Sequence, residues 1–504
     1  MRMIRNTTML RERWAKYSSI VLPILPGLVV IALQSFGRPE PFDDAFITFR
    51  YARNIAEGLG FVYNTGERVL GTTTPLFTLF LALVGWITDT SLIPRASFVI
   101  SIIADFLAAI FLFRITRWIF QSSSVALLAA LAFVLFPLRL TVAQGGMETS
   151  LYIALLLISY ERALAAKRTL IAAVFAALAL LTRPDAAIAL VPLYAWMYLT
   201  DHKTALKATA LTVALIAPWF IWATQYFGSP IPQSLLAKSI AYRNPAGFAA
   251  FFLVTFLGTG TLGPYPGTLA ILSASALSFI LIILGNILLG KNQPAALPIT
   301  LYPLLYMIFM TVTNAPMYFP WYYPPLVPGL IVAVIACVWF LPIPSIRVRQ
   351  SLLILISAII ILVPAMLMRN YPSWTISRER EAAYQIVCSE LAPRNGSITT
   401  VLAPDIGVLG WCLGSANIID PIGLVSPGVI PYLADLPAGQ FVSARLISDT
   451  EPEYVIALEQ YVRPFITDST DFKRDYNQLY QTPVSIAGKS QYLYVFGRNS
   501  KTKP

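Results

Sequence analysis

Five short stretches of this 504-residue chain hold the side chains that could move a proton or receive an anion. Asp43 and Asp44 open a helical-looking segment. A carboxylate held at a membrane surface can take a proton from a hydroxyl nucleophile, with the second acid orienting the first, and the same pair would also suit capping or the helix dipole. Arg50 and Arg53 lie three residues apart, on one face of that helix, where guanidinium groups can grip phosphate oxygens in pairs or snorkel to lipid headgroups. Glu148 follows Gly145-Gly146-Met147, where it could meet a substrate or stabilise a helix start. Arg183-Pro184-Asp185 sits at the junction of two apolar runs and reads as a local ion pair or a substrate contact. Lys238 follows Pro230 and Pro232, in an irregular loop that can aim its ammonium at an anion. Tyr322 and Tyr323 belong, with Tyr318, Phe319 and Trp321, to an aromatic group suited to a membrane-interface belt, a sugar ring or a lipid headgroup.

The elements that must position these groups are membrane helices. Hydrophobic residues make up 57% of the chain and charged ones 12%, against about 45–50% and about 25% in soluble domains. The runs expected to span are Ser18–Gln34, Ala96–Phe113, Val125–Ala143, Thr149–Tyr160, Leu170–Leu181, Ala186–Leu199, Ala205–Gln225, Gly267–Leu289, Leu297–Thr313, Pro324–Leu341 and Ser351–Met368, about eleven in all. Pro75–Ile87 reads as a helix lying at the interface. With it out of the count, Arg114, Arg117, Arg162, Lys167, Arg168, Lys203, Lys207, Lys291, Arg347 and Arg349 all fall on the cytoplasmic side. Arg2, Arg5, Arg11, Arg13 and Lys16 ahead of the first run read as the flank of a retained signal anchor with a cytoplasmic N-terminus. All five stretches then share the outer face.

Residues 1–368 are therefore expected to form the transmembrane domain, with 37–95 as its first outer loop and juxtamembrane helices, and 369–504 a small extracytoplasmic α/β domain. In the latter, Arg378–Leu391 reads as a helix and Ser397–Leu402, Ala416–Ile419, Glu453–Ala457 and Gln491–Phe496 as strands. Cys388 and Cys412 could pair there or remain buried thiols, and Cys337 is intramembrane. The net charge of +11 lies in small groups between apolar runs, so no nucleic acid is expected as a partner. One histidine and three cysteines make no Cys/His zinc set, and no Gly-rich phosphate loop precedes a helix, which argues against a nucleotide-sugar donor.

Asp43-Asp44-Ala45-Phe46 through Arg50-Tyr51-Ala52-Arg53-Asn54, followed by Gly58-Leu59-Gly60-Phe61-Val62-Tyr63-Asn64 and Gly66-Glu67-Arg68-Val69, resembles the first outer loop of GT-C membrane glycosyltransferases, and most nearly the mycobacterial terminal arabinofuranosyltransferases. Gly146-Met147-Glu148-Thr149, Arg183-Pro184-Asp185, the Pro232–Lys238 loop, Asp405-Ile406-Gly407-Val408-Leu409-Gly410 and Ile419-Asp420-Pro421-Ile422-Gly423-Leu424 agree with it. The resemblance implies an inverting transferase that moves a sugar from a polyprenyl-phosphate donor to an extracytoplasmic glycan, lipid or protein. Asp43 or Asp44 becomes the base, Arg50, Arg53, Arg183 and Lys238 bind the donor phosphate, and Glu148, Asp185, Tyr322 and Tyr323 contact substrate. No cofactor is required, although the acid pair could hold a divalent cation. Gln233 and Ala186 depart from the family pattern and leave the sugar open. A transporter or flippase of a lipid-linked saccharide is the alternative, and would place its polar groups near the membrane midplane; an inactive, glycan-binding sensor is a third.

Overall fold

The computed structural model describes residues 21–37, 39–242, 244–261, 268–370, 378–391, 398–434, 436–437, 440–486 and 489–499. The basic flank on which the signal-anchor reading rests lies outside them. From the N-terminus, α1 (Val21–Phe36) leads into α2 (Asp43–Ala56) and the interface-like α3 (Pro75–Ile87). Then follow α4 (Ile93–Phe120), α5 (Ser123–Val134), α6 (Pro137–Ala143), α7 (Thr149–Tyr160), α8 (Thr169–Thr182), α9 (Ala186–Thr200) and α10 (His202–Phe227). The set ends with α11 (Gln233–Ala241), α12 (Phe248–Thr259), α13 (Thr268–Asn292), α14 (Leu297–Val312), α15 (Val327–Phe340) and α16 (Ile346–Asn370).

Each run expected to span coincides with a helix, but fewer are long enough to cross alone. Among the described residues six helical stretches are long and apolar enough: α10, α13, α16, and α4, α14 and α15 taken with the 3-10 turns that lead into them (Thr90–Phe120, Pro294–Val312 and Pro320–Phe340); α5 with α6 makes a seventh if that pair, bent by 57°, is one span. The expected eleven are not matched by length. α7, α8 and α9 have 12, 14 and 15 residues and rise about 18–23 Å, against a hydrocarbon core of about 30 Å. α12, an apolar helix of 12 residues, was not foreseen. Exposed Leu, Ile, Val and Phe side chains on α10, α13 and α16 form the surface a bilayer covers, whereas α15 is largely enclosed. The chain is a multi-pass membrane protein.

Small residues let the inner helices approach closely: Ala172, Ala173, Ala176 and Ala179 of α8 and Ala104 and Ala108 of α4 are fully buried in the main core. One ion pair is buried among them. Asp105 of α4 meets Arg139 of α6 and accepts from the Gln34 amide of α1. Arg139 also donates to the Val134 carbonyl at the break between α5 and α6 (2.8 Å). Pro137, which has no N–H, sits in the first turn of α6 and cannot continue the helix through that break. The pair thus fixes where α6 points, and α6 delivers the Gly145–Glu148 loop.

The C-terminal domain packs α17 (Arg378–Leu391) and α18 (Gly407–Cys412) against a five-stranded sheet of β1 (Thr400–Leu402), β2 (Asn417–Ile419), β3 (Tyr454–Leu458), β4 (Tyr476–Ile486) and β5 (Lys489–Arg498). Strand order is β2-β1-β3-β5-β4, parallel on the β2-β1-β3 side and antiparallel on the other. β4 escapes the sequence reading because it lacks clean alternation and contains Pro483, which a strand tolerates at a sheet edge. Cys388 and Cys412 are paired, tying α17 to α18, and Cys337 is buried in α15.

Candidate active site

Asp43 and Asp44 stand at the start of α2, yet α2 has no side-chain cap. Asp43 caps α18 instead: its Oδ2 accepts from the Gly407 amide (2.9 Å) and its Oδ1 from the Val408 amide (2.8 Å). Glycine at 407 is required by this contact, because a Cβ there would overlap the Asp43 carbonyl. Around Asp43 gather Glu381, which accepts from the Asp43 amide, and Arg380, which pairs with both Glu381 and Asp405. Burial and the nearby Asp405 charge raise the Asp43 carboxyl to about 7, against the pull of Arg380 and the Val408 amide.

One to two turns further along α2, Arg50 is fully buried and every donor nitrogen meets an oxygen. Nε donates to the Tyr63 carbonyl, Nη1 to the Gly410 carbonyl, and Nη2 to the Ala416 carbonyl and the Asn64 side chain. Arg53 donates to the Trp411 carbonyl and lies over the Trp411 ring. Asn64 completes the junction through both the amide and the carbonyl of Ile418. The first-loop motif and the Asp405–Gly410 motif, 360 residues apart, are therefore two halves of one interface.

The other side of α2 faces a cavity of about 670 Å³. Asp44, half-buried, opens onto it with Glu148, Arg183, Asp185, Lys238 and Tyr322. Arg183 is clamped: Nε and Nη2 reach the two oxygens of Asp185 at 2.9 Å each, and Nη1 reaches Glu148 Oε1 at 3.4 Å. Tyr306 donates to Asp185 (3.0 Å), and Tyr322 lies against the guanidinium. Lys238, on α11, sits over the Phe319 ring and has no carboxylate partner among the described residues. Ile188, Phe309 and Met310 continue the cavity along α9 and α14 with apolar surface, while Gly71–Thr74 and Leu424 line it near the C-terminal domain.

Six of the ten residues singled out in the sequence thus meet in one place: Asp44, Glu148, Arg183, Asp185, Lys238 and Tyr322. Four do not line it. Arg50 donates to Tyr63 and Asn64 of the first loop and to the Gly410 and Ala416 carbonyls, and Arg53 Nη1 to the Trp411 carbonyl, which is not the placement expected of phosphate ligands on the cavity. Asp43 points at α18. Tyr323 is buried in the core with its hydroxyl on the Met317 carbonyl. The helix face shared by Arg50 and Arg53 was legible; what that face packs against was not. The threonines at 48 and 72–74 and Ser234 also line the cavity and carry no signal in a single sequence beyond short polar side chains beside apolar runs. Among the described residues no group of three or more His, Cys, Asp or Glu side chains could hold a metal ion.

Residues 374–496 match a family described as a domain of unknown function (DUF8728). Over 243 residues the chain is 26% identical to a terminal β-(1→2)-arabinofuranosyltransferase of Mycobacterium tuberculosis, covering 44% of this chain and only 39% of that protein. The fold is that of ArnT from Cupriavidus metallidurans. The TM-score is 0.56 to its apo structure and 0.50 to the structure bound to undecaprenyl phosphate, each at 12% identity and covering 95% of this chain and 98% of that one. In fold and in partial sequence, the chain is similar to membrane glycosyltransferases of the GT-C superfamily, as its first-loop motif implies.

Proposed function

We propose that the protein transfers a sugar from a polyprenyl-phosphate donor to a hydroxyl acceptor, with Asp44 as the general base. One observation carries this: a carboxylate, an ammonium free of carboxylate partners and an apolar groove open onto the same cavity. Asp44 would take the proton of the attacking hydroxyl as its oxygen bonds to the anomeric carbon and the bond to phosphate breaks. Attack opposite the leaving group inverts that carbon. The phosphate departs as an anion, and a cation preplaced where charge develops lowers the barrier.

Charge within the cavity favours a donor with one phosphate. Three lining carboxylates, Asp44, Glu148 and Asp185, face two cations, Arg183 and Lys238, and Arg183 is already shared by two of the acids. Lys238 remains for the donor, and one ammonium balances the single charge of a sugar phosphodiester rather than a diphosphate. The scheme requires no metal, since Lys238 can meet the departing charge. The arabinofuranosyltransferase relative and the undecaprenyl phosphate bound in an ArnT structure support a lipid-linked donor. Positive-inside charge supports an extracytoplasmic cavity and C-terminal domain and a cytoplasmic N-terminus.

The transporter alternative finds little support, because the deepest charges, Asp105 and Arg139, pair with each other and do not line the cavity. The test is transfer by purified, reconstituted protein from a panel of polyprenyl-phosphate sugars. Turnover from one donor is expected, with the donor KM raised roughly 10–100-fold in Lys238→Met, the loss of one charge-assisted contact. Movement of the lipid-linked sugar across liposomes without transfer would sink the transferase reading.

A further inference from the structure

Helix threonines in this protein habitually donate their hydroxyl to the carbonyl four residues back: Thr78, Thr116, Thr182, Thr212, Thr255 and Thr311 all do. Thr48 of α2 does not. It lies one turn after Asp44, on the same face, and lines the cavity with no hydrogen-bond partner for its hydroxyl among the described residues. Across from it Thr73 is likewise unpartnered, while its neighbours Thr72 and Thr74 bond each other (3.1 Å). Ser234, at the start of α11, has a buried hydroxyl without a partner. The Ser234 hydroxyl is buried, and those of Thr48 and Thr73 open onto the cavity, so together they are a set of hydrogen-bonding groups that a ligand there can meet.

We propose that Thr48, Thr73 and Ser234 form, with Asp44, a subsite for the hydroxyl groups of a neutral sugar ring. The inference rests on the transferase reading of the cavity and adds to it where the ring is held. A phosphate beside Asp44 would meet a like charge, and Lys238 offers it a better place. A polyol fits: each sugar hydroxyl can donate to Asp44 and accept from a threonine or serine, so every partner is satisfied without a second charge. The ring belongs either to the donor's sugar or to a saccharide acceptor, and kinetics separate the two.

The experiment compares the full-length protein with Thr48→Val, which keeps the shape and removes the hydroxyl, with Thr48→Ser, which restores it, and with Thr73→Val. Affinity is measured for undecaprenyl phosphate and for its arabinosyl, glucosyl and mannosyl esters, and KM for donor and acceptor in transfer. Undecaprenyl phosphate should bind all variants equally, within about twofold. Thr48→Val and Thr73→Val should each raise one KM roughly tenfold, as expected for one lost hydrogen bond, and Thr48→Ser should return it. A rise in donor KM assigns the ring to the donor, and a rise in acceptor KM assigns it to the acceptor. Unchanged KM values in a wild type that transfers sugar would overturn the subsite alone. A parallel loss of undecaprenyl phosphate affinity would overturn it too, by giving the hydroxyls to phosphate. If the wild type transfers nothing, the transferase reading fails and binding decides. A sugar-dependent gain in affinity that Thr48→Val loses keeps the subsite, and equal affinity for undecaprenyl phosphate with and without sugar removes it.

Discussion

The junction between α2 and the C-terminal domain and the cavity on the opposite side of α2 are built from the same residue types, acids and basic groups, but the first turns most of them onto protein partners and the second turns several onto open volume. At the junction Arg50 has an oxygen for each donor nitrogen, and both Asp43 oxygens hold an amide. In the cavity Lys238 lacks a carboxylate, Asp44 faces open volume and several hydroxyls have no partner. Buried polar groups are normally satisfied. The junction leaves over Arg53 Nη2 and one Glu381 oxygen, both shut away from solvent, whereas the unpaired groups of the cavity face open volume where a ligand can meet them. Asp43 and Asp44 fall on either side of that division because successive side chains on a helix point about 100° apart.

The largest effect should come from exchanging the two acids' chemistry. Asp44→Asn removes the proposed base and is expected to lower kcat roughly 10²–10⁴-fold with folding intact. Asp43→Asn loses one accepting oxygen at α18 and should keep most of the turnover while loosening the domain. Steady-state transfer and thermal unfolding of both variants, side by side, check this. If Asp43→Asn were the dead enzyme and Asp44→Asn the active one, the division between a closed junction and an open cavity would be broken.

A smaller effect is expected at Arg50. Arg50→Ala leaves the Tyr63, Gly410 and Ala416 carbonyls without their donor, and hydrogen bonds from a charged group are each worth roughly 1.5–3 kcal/mol, though not additively. The domain should become more sensitive to protease and lose protection in the amides of α18, at a cost of at least about 3 kcal/mol. Affinity for undecaprenyl phosphate should hold, since Arg50 does not line the cavity. A loss of that affinity with the domain still docked would return Arg50 to the role of phosphate ligand.

Much of the cavity was legible in the sequence but its separation from the junction was not, and the limits have physical causes. Hydropathy marks each apolar run, because burial in lipid demands it, and the α17 boundaries follow from amphipathic period and turn signals. The cavity's Arg183, Asp185, Glu148 and Lys238 stand out because charge beside an apolar run is rare. What the sequence does not carry is direction. Arg50 and Arg183 are both arginines at the end of an apolar stretch, and only packing decides that one meets carbonyls and the other carboxylates. Thr48 and Thr73 are invisible for a related reason: a threonine is unremarkable in a helix or a loop until packing leaves its hydroxyl without a partner on a cavity. The short α7, α8 and α9 satisfy composition but not length, a property of the fold that a hydropathy run does not fix.

The junction also differs from the cavity in how pH should act on it. Burial first, and the Asp405 charge second, raise Asp43 to about 7 in the folded protein, while the unfolded chain ionises it near the ordinary value of 3.8. Between those values the native state holds more of this proton than the unfolded state does. The term ∂ΔG/∂pH is then negative, so stability contributed at this site is greatest below about pH 4, falls as pH rises through about 7, and is level above it. Between pH 6 and pH 8 the expected loss is about 1 kcal/mol, one proton's worth of linkage across the midpoint. Calorimetric unfolding of reconstituted protein at pH 6, 7 and 8 should show this slope, and Asp43→Asn, which cannot ionise, should flatten it. Asp44→Asn should leave the slope in place. A slope that survives in Asp43→Asn and disappears in Asp44→Asn would place the tightly held proton in the cavity instead, on the side of α2 proposed to do the chemistry.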